Sequence, residues 1–303
     1  MKRAIVVGGA GFVGNALVRE LLDHDVEVYV VVRPGFVRDG SRLDGLNVNI
    51  VECDIKTVEN LLTLIKERGF DAYYQFAWDG LFHEPLVDYT TQIMNIKWAM
   101  DAIATASKLG CKKFIGAGSI AQYELNTLEG QISQGDKHKV YKTAKLACEY
   151  MGRGVASNYG IEFYWPIITN IFGEGETSPR LINSMIRNLL EGKKQSLSEG
   201  NQIYDFIHIS DAANAFYLIG EKGKEFSRYV IGSGGARPLK EFLTILRDVV
   251  APEARLGFGE FAFNGIYLPK EDYSIEELVR DTGFCAKMSF EEGIRRTADW
   301  ILQ

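Results

Sequence analysis

The sequence predicts an α/β fold: a doubly wound, Rossmann-like parallel sheet with a smaller C-terminal substrate lobe. Three observations predict it. Short apolar runs alternate with amphipathic stretches of ten or more residues through the first half, a spacing that requires helical crossovers between parallel strands. A glycine-rich turn, Gly8-Gly9-Ala10-Gly11-Phe12-Val13-Gly14, directly follows the first of those runs. With 303 residues, 46% of them hydrophobic, the chain can bury a large core in two lobes or one large domain.

Strands are expected at Ala4–Val7, Glu27–Val32, Val48–Glu52, Ala72–Phe76, Lys113–Ala117 and Glu162–Ile168. Helical periodicity fills the gaps at Phe12–Leu22, Val58–Glu67, Tyr89–Lys108 and Tyr141–Asn158. Beyond Ile168 the alternation loosens. A helix is expected at Pro179–Leu190, a strand at Ile203–Ile207, and helices at Ser210–Ile219, Leu239–Val250, Ile275–Asp281 and Phe290–Leu302. Gly/Ser-rich breaks fall at Ile231–Gly235 and around Gly257–Gly259. The expected division is a dinucleotide-binding domain over 1–170, with a return segment near 203–230, and a substrate-binding lobe over 171–202 and 231–303.

Charge and composition exclude several classes. A net charge of -6 argues against a nucleic-acid partner, which calls for a basic patch. No signal peptide and no bilayer-spanning apolar stretch is read, so a cytoplasmic protein without membrane association is expected. Cys53, Cys111, Cys148 and Cys285 form no Cys-x-x-Cys pair and read as reduced thiols. His24, His83, His138 and His208 lack ligand spacing, so no metal is expected, and His208 reads as a packing residue.

Gly8, Gly11 and Gly14 stand three apart between a strand and a helix. Such glycines allow a tight turn, close backbone approach to a pyrophosphate, and close helix–sheet packing, while the helix N-terminus offers unpaired N–H groups. Phe12 and Val13 belong to the same cofactor-binding turn. The second strand ends Val32-Arg33, with Arg38 following. An acidic residue there would suit the ribose hydroxyls of NAD, whereas a guanidinium suits a 2′-phosphate. NADP(H) is therefore favoured and NAD(H) is the alternative, in which Arg33 stacks on the adenine or is solvated. Asp54 and Ile55 are placed to meet the adenine, or Asp54 simply caps a helix.

Tyr141 and Lys145 lie four apart, on one face of a helix. Free tyrosine titrates near pH 10, too high for efficient proton transfer at neutral pH, and a neighbouring ammonium favours the phenolate. Lys145 can also hold ribose hydroxyls, and Ser119 can donate a hydrogen bond to the substrate oxygen. Trp78, Phe82 and Tyr89 follow the fourth strand; Trp78 is a candidate for substrate contact and Tyr89 for the core. The run Gln134–Lys142, with Lys137, His138 and Lys139, reads as a solvated approach to the catalytic helix.

These residues resemble the extended short-chain dehydrogenase/reductases, in particular the nucleotide-sugar epimerase/dehydratase family. The likeness covers nearly the whole chain: Gly8–Gly14, Asp54-Ile55, Gln75-Phe76-Ala77-Trp78, Gly118-Ser119 through Tyr123, Tyr141–Lys145, Thr169–Gly173, Tyr204–Asp211 and Ser289–Ile294. The resemblance implies catalysis by Ser119, Tyr141 and Lys145. It implies cofactor contacts from Phe76, Ala77 and Trp78, and substrate contacts from Trp78, Ser119, Asn170, Arg180 and Tyr204.

The departures are informative. Where the 4,6-dehydratase branch carries an acidic pair, this chain has Ile120 and Ala121, which argues against 4,6-dehydration. Tyr204 stands where many relatives carry an Arg for the substrate diphosphate, so Arg180 or Arg187 supplies that charge or the substrate differs. The expected activity is reduction of a 4-keto (deoxy)sugar nucleotide by a homodimer. The alternatives are an NAD-retaining C4 epimerase and, from another class, a non-catalytic dinucleotide sensor.

Overall fold

The computed structural model describes residues 1–80, 86–127 and 136–303. Its first half runs β1 (Arg3–Val7), α1 (Phe12–Asp23), β2 (Glu27–Val32), β3 (Asn49–Glu52), α2 (Leu61–Leu64), β4 (Ala72–Gln75), α3 (Tyr89–Lys108), β5 (Lys113–Ile115), α4 (Lys139–Tyr159) and β6 (Glu162–Tyr164). The second runs β7 (Ile167–Ile168), β8 (Asn170–Phe172), α5 (Leu181–Leu190), β9 (Gln195–Ser196), β10 (Ile203–Tyr204), β11 (Phe206–His208) and α6 (Ile209–Lys222). It ends with β12 (Val230–Ile231), β13 (Arg237–Pro238), α7 (Leu239–Val250), β14 (Leu256–Gly257), α8 (Glu276–Thr282) and α9 (Phe290–Leu302).

Six strands form one sheet in the order β3-β2-β1-β4-β5-β6, and every neighbouring pair is parallel. This is the doubly wound order, and it places a switch point between β1 and β4. Ala4 to Val7 of β1 are buried, as a central strand covered on both faces requires. Parallel register then builds an aromatic ladder. Tyr73 faces Phe114 and Phe114 faces Phe163, with ring centroids 5.5 and 5.9 Å apart, and Trp165 continues the stack 6.1 Å beyond Phe163.

The expected helix Val58–Glu67 is the largest local departure. Ile55–Asn60 is a 3-10 helix broken at Thr57 (φ -134°, ψ 42°), and α2 adds only four residues. Past Leu64 the Arg68 guanidinium bonds the carbonyls of Leu62, Ile65 and Glu67, doing by side chain what another helical turn would do by backbone. The strand expected to Ala117 ends at Ile115, although Gly116 and Gly118 N–H still donate to Tyr164 and Pro166 carbonyls at 2.9 Å.

The chain packs as two units, Met1–Ile167 with Ala213–Tyr229, and Ile168–Ala212 with Val230–Gln303. The return to the first unit therefore starts at Ala213, not near 203. The reason is pairing: β11 lies parallel to β8, and β10 antiparallel to β13, which keeps 203–208 in the second unit. In the first unit, Lys113 Nζ donates to Gly220 O at 2.9 Å and Tyr74 OH to Phe216 O at 3.4 Å. In the second, Ile182, Met185, Ile186 and Leu189 of α5 pack with Phe242, Leu243 and Leu246 of α7 and Ile294 of α9 around Phe172 and Phe206. That three- and four-residue spacing is what lets each helix bury one stripe.

Candidate active site

Three glycines of the first turn are required by the protein's own packing. Gly8 has φ +85°, and a Cβ there would lie 2.8 Å from Ala77 N. A Cβ on Gly9 would lie 2.6 Å from Val30 Cγ1, and one on Gly14 would lie 2.3 Å from Gly8 O. Gly11 differs: it is exposed, and its nearest neighbour would be Gly8 O at 3.2 Å. Gly11 caps α1 without a side-chain hydrogen bond. The helix N-terminus thus keeps its positive end with no side-chain oxygen over it, beside a residue whose missing side chain opens to solvent. Phe12 and Val13, both half-buried, open the helix. This cradle fits a dinucleotide pyrophosphate.

Arg33 directly follows β2, is exposed, and makes no side-chain hydrogen bond or ion pair among the described residues. Arg38 is instead structural, its guanidinium bonding Leu46 O. Two residues here escaped sequence reasoning. Glu52, at the end of β3, accepts a hydrogen bond from Gly35 N at 2.8 Å, and Arg42 Nη1 reaches Ala10 O in the glycine turn at 3.4 Å. Neither carries a spacing signal, because a loop of fixed shape brings them in. Asp54 caps the 3-10 helix Ile55–Asn60, its carboxylate accepting from Lys56 N at 2.9 Å.

The β4 end is held against β1, with Phe76 and Ala77 N–H both donating to Val7 O. Next in sequence, Trp78 donates its indole N–H to Gln92 Oε1 at 3.0 Å. Its ring lies 3.6 Å from Lys145 Nζ and edge-on to Tyr141 at 6.1 Å. Tyr141 is half-buried. Lys145 is buried, donates to Ala117 O at 2.8 Å, and has Trp165 and Tyr141 rings at 5.6 and 5.8 Å. Burial pushes its ammonium down to about 7.

Ser119 caps the 3-10 helix Ile120–Asn126; its Oγ accepts from Ala121 N at 3.3 Å and retains its proton for donation. Gln122 Oε1 accepts from Ser119 N, while Gln122 Nε2 donates to Glu149 Oε2 at 2.6 Å. Glu149 also pairs with Arg153 at 3.2 Å. Tyr141, Lys145, Glu149 and Arg153 therefore form one stripe of α4, at four-residue steps. The structure corrects two readings nearby. Lys142 is buried between Glu124 and Asp136, at 2.5 and 2.6 Å, not solvated. Tyr89, expected in the core, is exposed at the first position of α3, just after the Asp88 cap. Phe82, His83 and Gln134 lie outside the described residues.

The remaining candidates belong to the second unit. Asn170 Nδ2, on β8, donates to the carbonyl of Asp205, the residue just before β11, at 3.0 Å. Tyr204 stacks on Phe206 at 5.7 Å. Arg180 caps α5 and pairs with Glu176 at 3.8 Å, and Arg187 is exposed on the same helix. His208 does more than pack, because its two ring nitrogens meet Ser210 Oγ and Glu174 Oε2, each at 2.8 Å.

A family model described as the NAD dependent epimerase/dehydratase family matches residues 4–232. The chain belongs to that family. A probable dTDP-glucose 4,6-dehydratase of Sinorhizobium fredii is 25% identical over 336 residues, which cover 99% of this chain and 93% of that one. The structure resembles a UDP-N-acetylglucosamine 4-epimerase from Methanobrevibacter ruminantium M1 with a TM-score of 0.81 at 22% identity, covering 99% of this chain and 98% of the other. It also resembles the Bordetella bronchiseptica enzyme WbmH, solved in complex with NAD+, with a TM-score of 0.75 at 20% identity and coverage of 100% and 99%. Dehydratases and epimerases thus both stand among its relatives. Among the described residues, no helix is long and apolar enough to cross a membrane.

Proposed function

We propose that this protein reduces a 4-keto (deoxy)sugar nucleotide, with NADP(H) as the favoured cofactor. The observation that carries the reductase reading is Arg33, exposed at the end of β2 and without an ion-pair partner among the described residues. An uncommitted guanidinium there suits a 2′-phosphate and so a cofactor that dissociates after each turnover. Gly11 and the N-terminus of α1 receive the pyrophosphate. The bound dinucleotide supplies the hydride. Tyr141 delivers a proton to the C4 oxygen, Lys145 beside it favours the phenolate left behind, and Ser119 donates a hydrogen bond to the same oxygen. Ile120 and Ala121 offer no proton-transfer group, which supports reduction over 4,6-dehydration. Trp78, Asn170, Arg180 and Tyr204 are assigned to the nucleotide sugar. A cytoplasmic homodimer completes the proposal, supported by the exposed Tyr89 and Ile93 of α3 and Tyr150 and Met151 of α4.

Titration of the purified protein with NADPH and NADH, followed by a screen of sugar nucleotides, tests this reading. Charged hydrogen bonds contribute roughly 1.5–3 kcal/mol, so NADPH should bind about ten- to a hundred-fold more tightly. The preference should fall with added salt, and Arg33→Ala should erase most of it. Equal affinities, or NAD that survives purification, would replace the reductase by the C4 epimerase. Absence of any turnover would leave a dinucleotide sensor.

A further inference from the structure

A small cavity lies beside Lys145 within the first unit, lined by Ile55, Gln75, Trp78, Asn95, Trp165 and Lys145 among others. It leaves about 10 Å³ for the centre of a water-sized occupant, about what one ordered water needs. Several side-chain polar groups of the lining residues are committed to partners of their own. Asn95 is satisfied at both ends, by Asp79 N at 2.9 Å and Asp79 O at 2.8 Å. The Trp78 indole N–H goes to Gln92 and the Gln75 amide nitrogen to Ala77 O. Two buried atoms are left without a protein partner, Gln75 Oε1 and Trp165 Nε1. Their residues are each 8% exposed. Lys145 adds a donor, since its ammonium has three N–H groups and Ala117 O takes one.

We propose that this cavity is a built site for a single water molecule, which accepts hydrogen bonds from Trp165 Nε1 and Lys145 Nζ and donates one to Gln75 Oε1. No other small occupant matches that set. A cation would face an ammonium and an indole N–H, and an anion would face the Gln75 carbonyl oxygen. Water accepts two bonds and donates one, and each unpartnered atom gains a partner. Gln75 and Trp165 are then positioning residues, holding the Lys145 ammonium through the water while the Trp78 ring covers it at 3.6 Å. The assignment of Lys145 to catalysis rests on the proposed function; the water site does not.

The fold makes the site by register. The aromatic ladder delivers Trp165, and a Cβ on Gly116 would lie 2.2 Å from the Trp165 ring, so glycine is what lets the indole reach the cavity. The titratable groups facing Lys145 are Tyr141 and Cys148, both of its own helix. The residues lining the cavity from β4, α3 and the β6 end include Gln75, Asn95, Trp98 and Trp165, none of which titrates.

Nuclear magnetic resonance of the intact protein decides the matter. Magnetisation transfer from water to the Trp165 indole proton should be seen, with that resonance identified by its disappearance in Trp165→Phe. Gln75→Met should abolish the transfer and lower the Lys145 titration midpoint, followed at its Cε, by roughly one pH unit, because the charged form loses a hydrogen bond. Absence of the transfer in the wild-type protein would overturn the water site, whether or not the variant folds. Loss of the transfer with an unmoved midpoint would overturn the positioning role. Neither readout uses a sugar nucleotide, so failure of the proposed reaction and failure of this site are told apart.

Discussion

Lys145 combines a charge with a position from which water is almost excluded. Its ammonium sits at about 7, well below 10.5, because burial disfavours the charged form. Between those values the unfolded chain holds a proton there that the folded chain has lost, so stability should rise with pH over that window. Lys145→Met should remove this rise while leaving the rest of the pH dependence in place, as read by urea unfolding between pH 7 and pH 10. An unchanged slope would mean that the ammonium is solvated. Tyr141 has a different signature. Tyr141→Phe should lower turnover about 10²–10⁴-fold with cofactor affinity nearly intact, since general acid–base catalysis is worth roughly that much. Near wild-type turnover in that variant would remove Tyr141 as the proton donor. The pair was legible in the sequence because a four-residue step on a helix fixes a shared face. The Trp78 and Trp165 rings around Lys145 were not legible as a cage. Residues 78, 145 and 165 come from three segments, and only strand register brings them together.

At the level of elements, the first four strands of the sheet and helices α1, α3 and α4 could be read to within two residues, since each buries an apolar stripe or run, whereas the strands expected to Ala117 and Ile168 end earlier, at Ile115 and Tyr164. The second helix could not be read this way. Its apolar periodicity competes with Thr57 and with the reach of Arg68 back to three carbonyls, and both are tertiary choices. Lys142 was misread for a related reason: a cation in a polar run looks solvated until the chain folds Glu124 and Asp136 onto it. The β5 end offers a sharper test of how elements position the site. Gly116 falls inside the strand expected at Lys113–Ala117 with nothing in the sequence to mark it, yet a methyl group there would lie 2.2 Å from two ring carbons of Trp165. Gly116→Ala should therefore cost about 1–3 kcal/mol of stability, the usual penalty for overpacking a core. It should also perturb Trp165 fluorescence before any change in the other tryptophans. A variant as stable as wild type would show that the ladder can slide, and that the position of Trp165 is not set by register.

Across the whole molecule, acid should act on the two units through different carboxylates. In the first unit, burial raises Asp71, but the Lys112 ammonium at 2.7 Å and the Lys2 and Arg3 N–H groups outweigh it and hold the carboxyl at about 2. In the second, the hydrogen bond from His208, with Arg296 at 2.7 Å, holds Glu174 at about 2. Both folded values lie below the ordinary 3.8 and 4.5. Each carboxylate thus adds stability above its ordinary value, and that stability is lost as pH falls toward 2. If the units unfold together, the pair should contribute a slope of at most about 2.7 kcal/mol per pH unit, two protons' worth. Solvent screening keeps the total below the full shift. Asp71→Asn or Glu174→Gln should each halve that contribution. If the units unfold separately, the effects should split by probe. Trp78, Trp98 and Trp165 lie in the first unit and Trp300 in the second, so tryptophan fluorescence mainly follows the first and should respond to Asp71→Asn. Far-ultraviolet circular dichroism follows both and should also show the Glu174→Gln transition. Denaturant unfolding at pH 5, 4 and 3 by both probes distinguishes the cases. A stability flat across that range in the wild-type protein would mean that neither ion pair persists in solution.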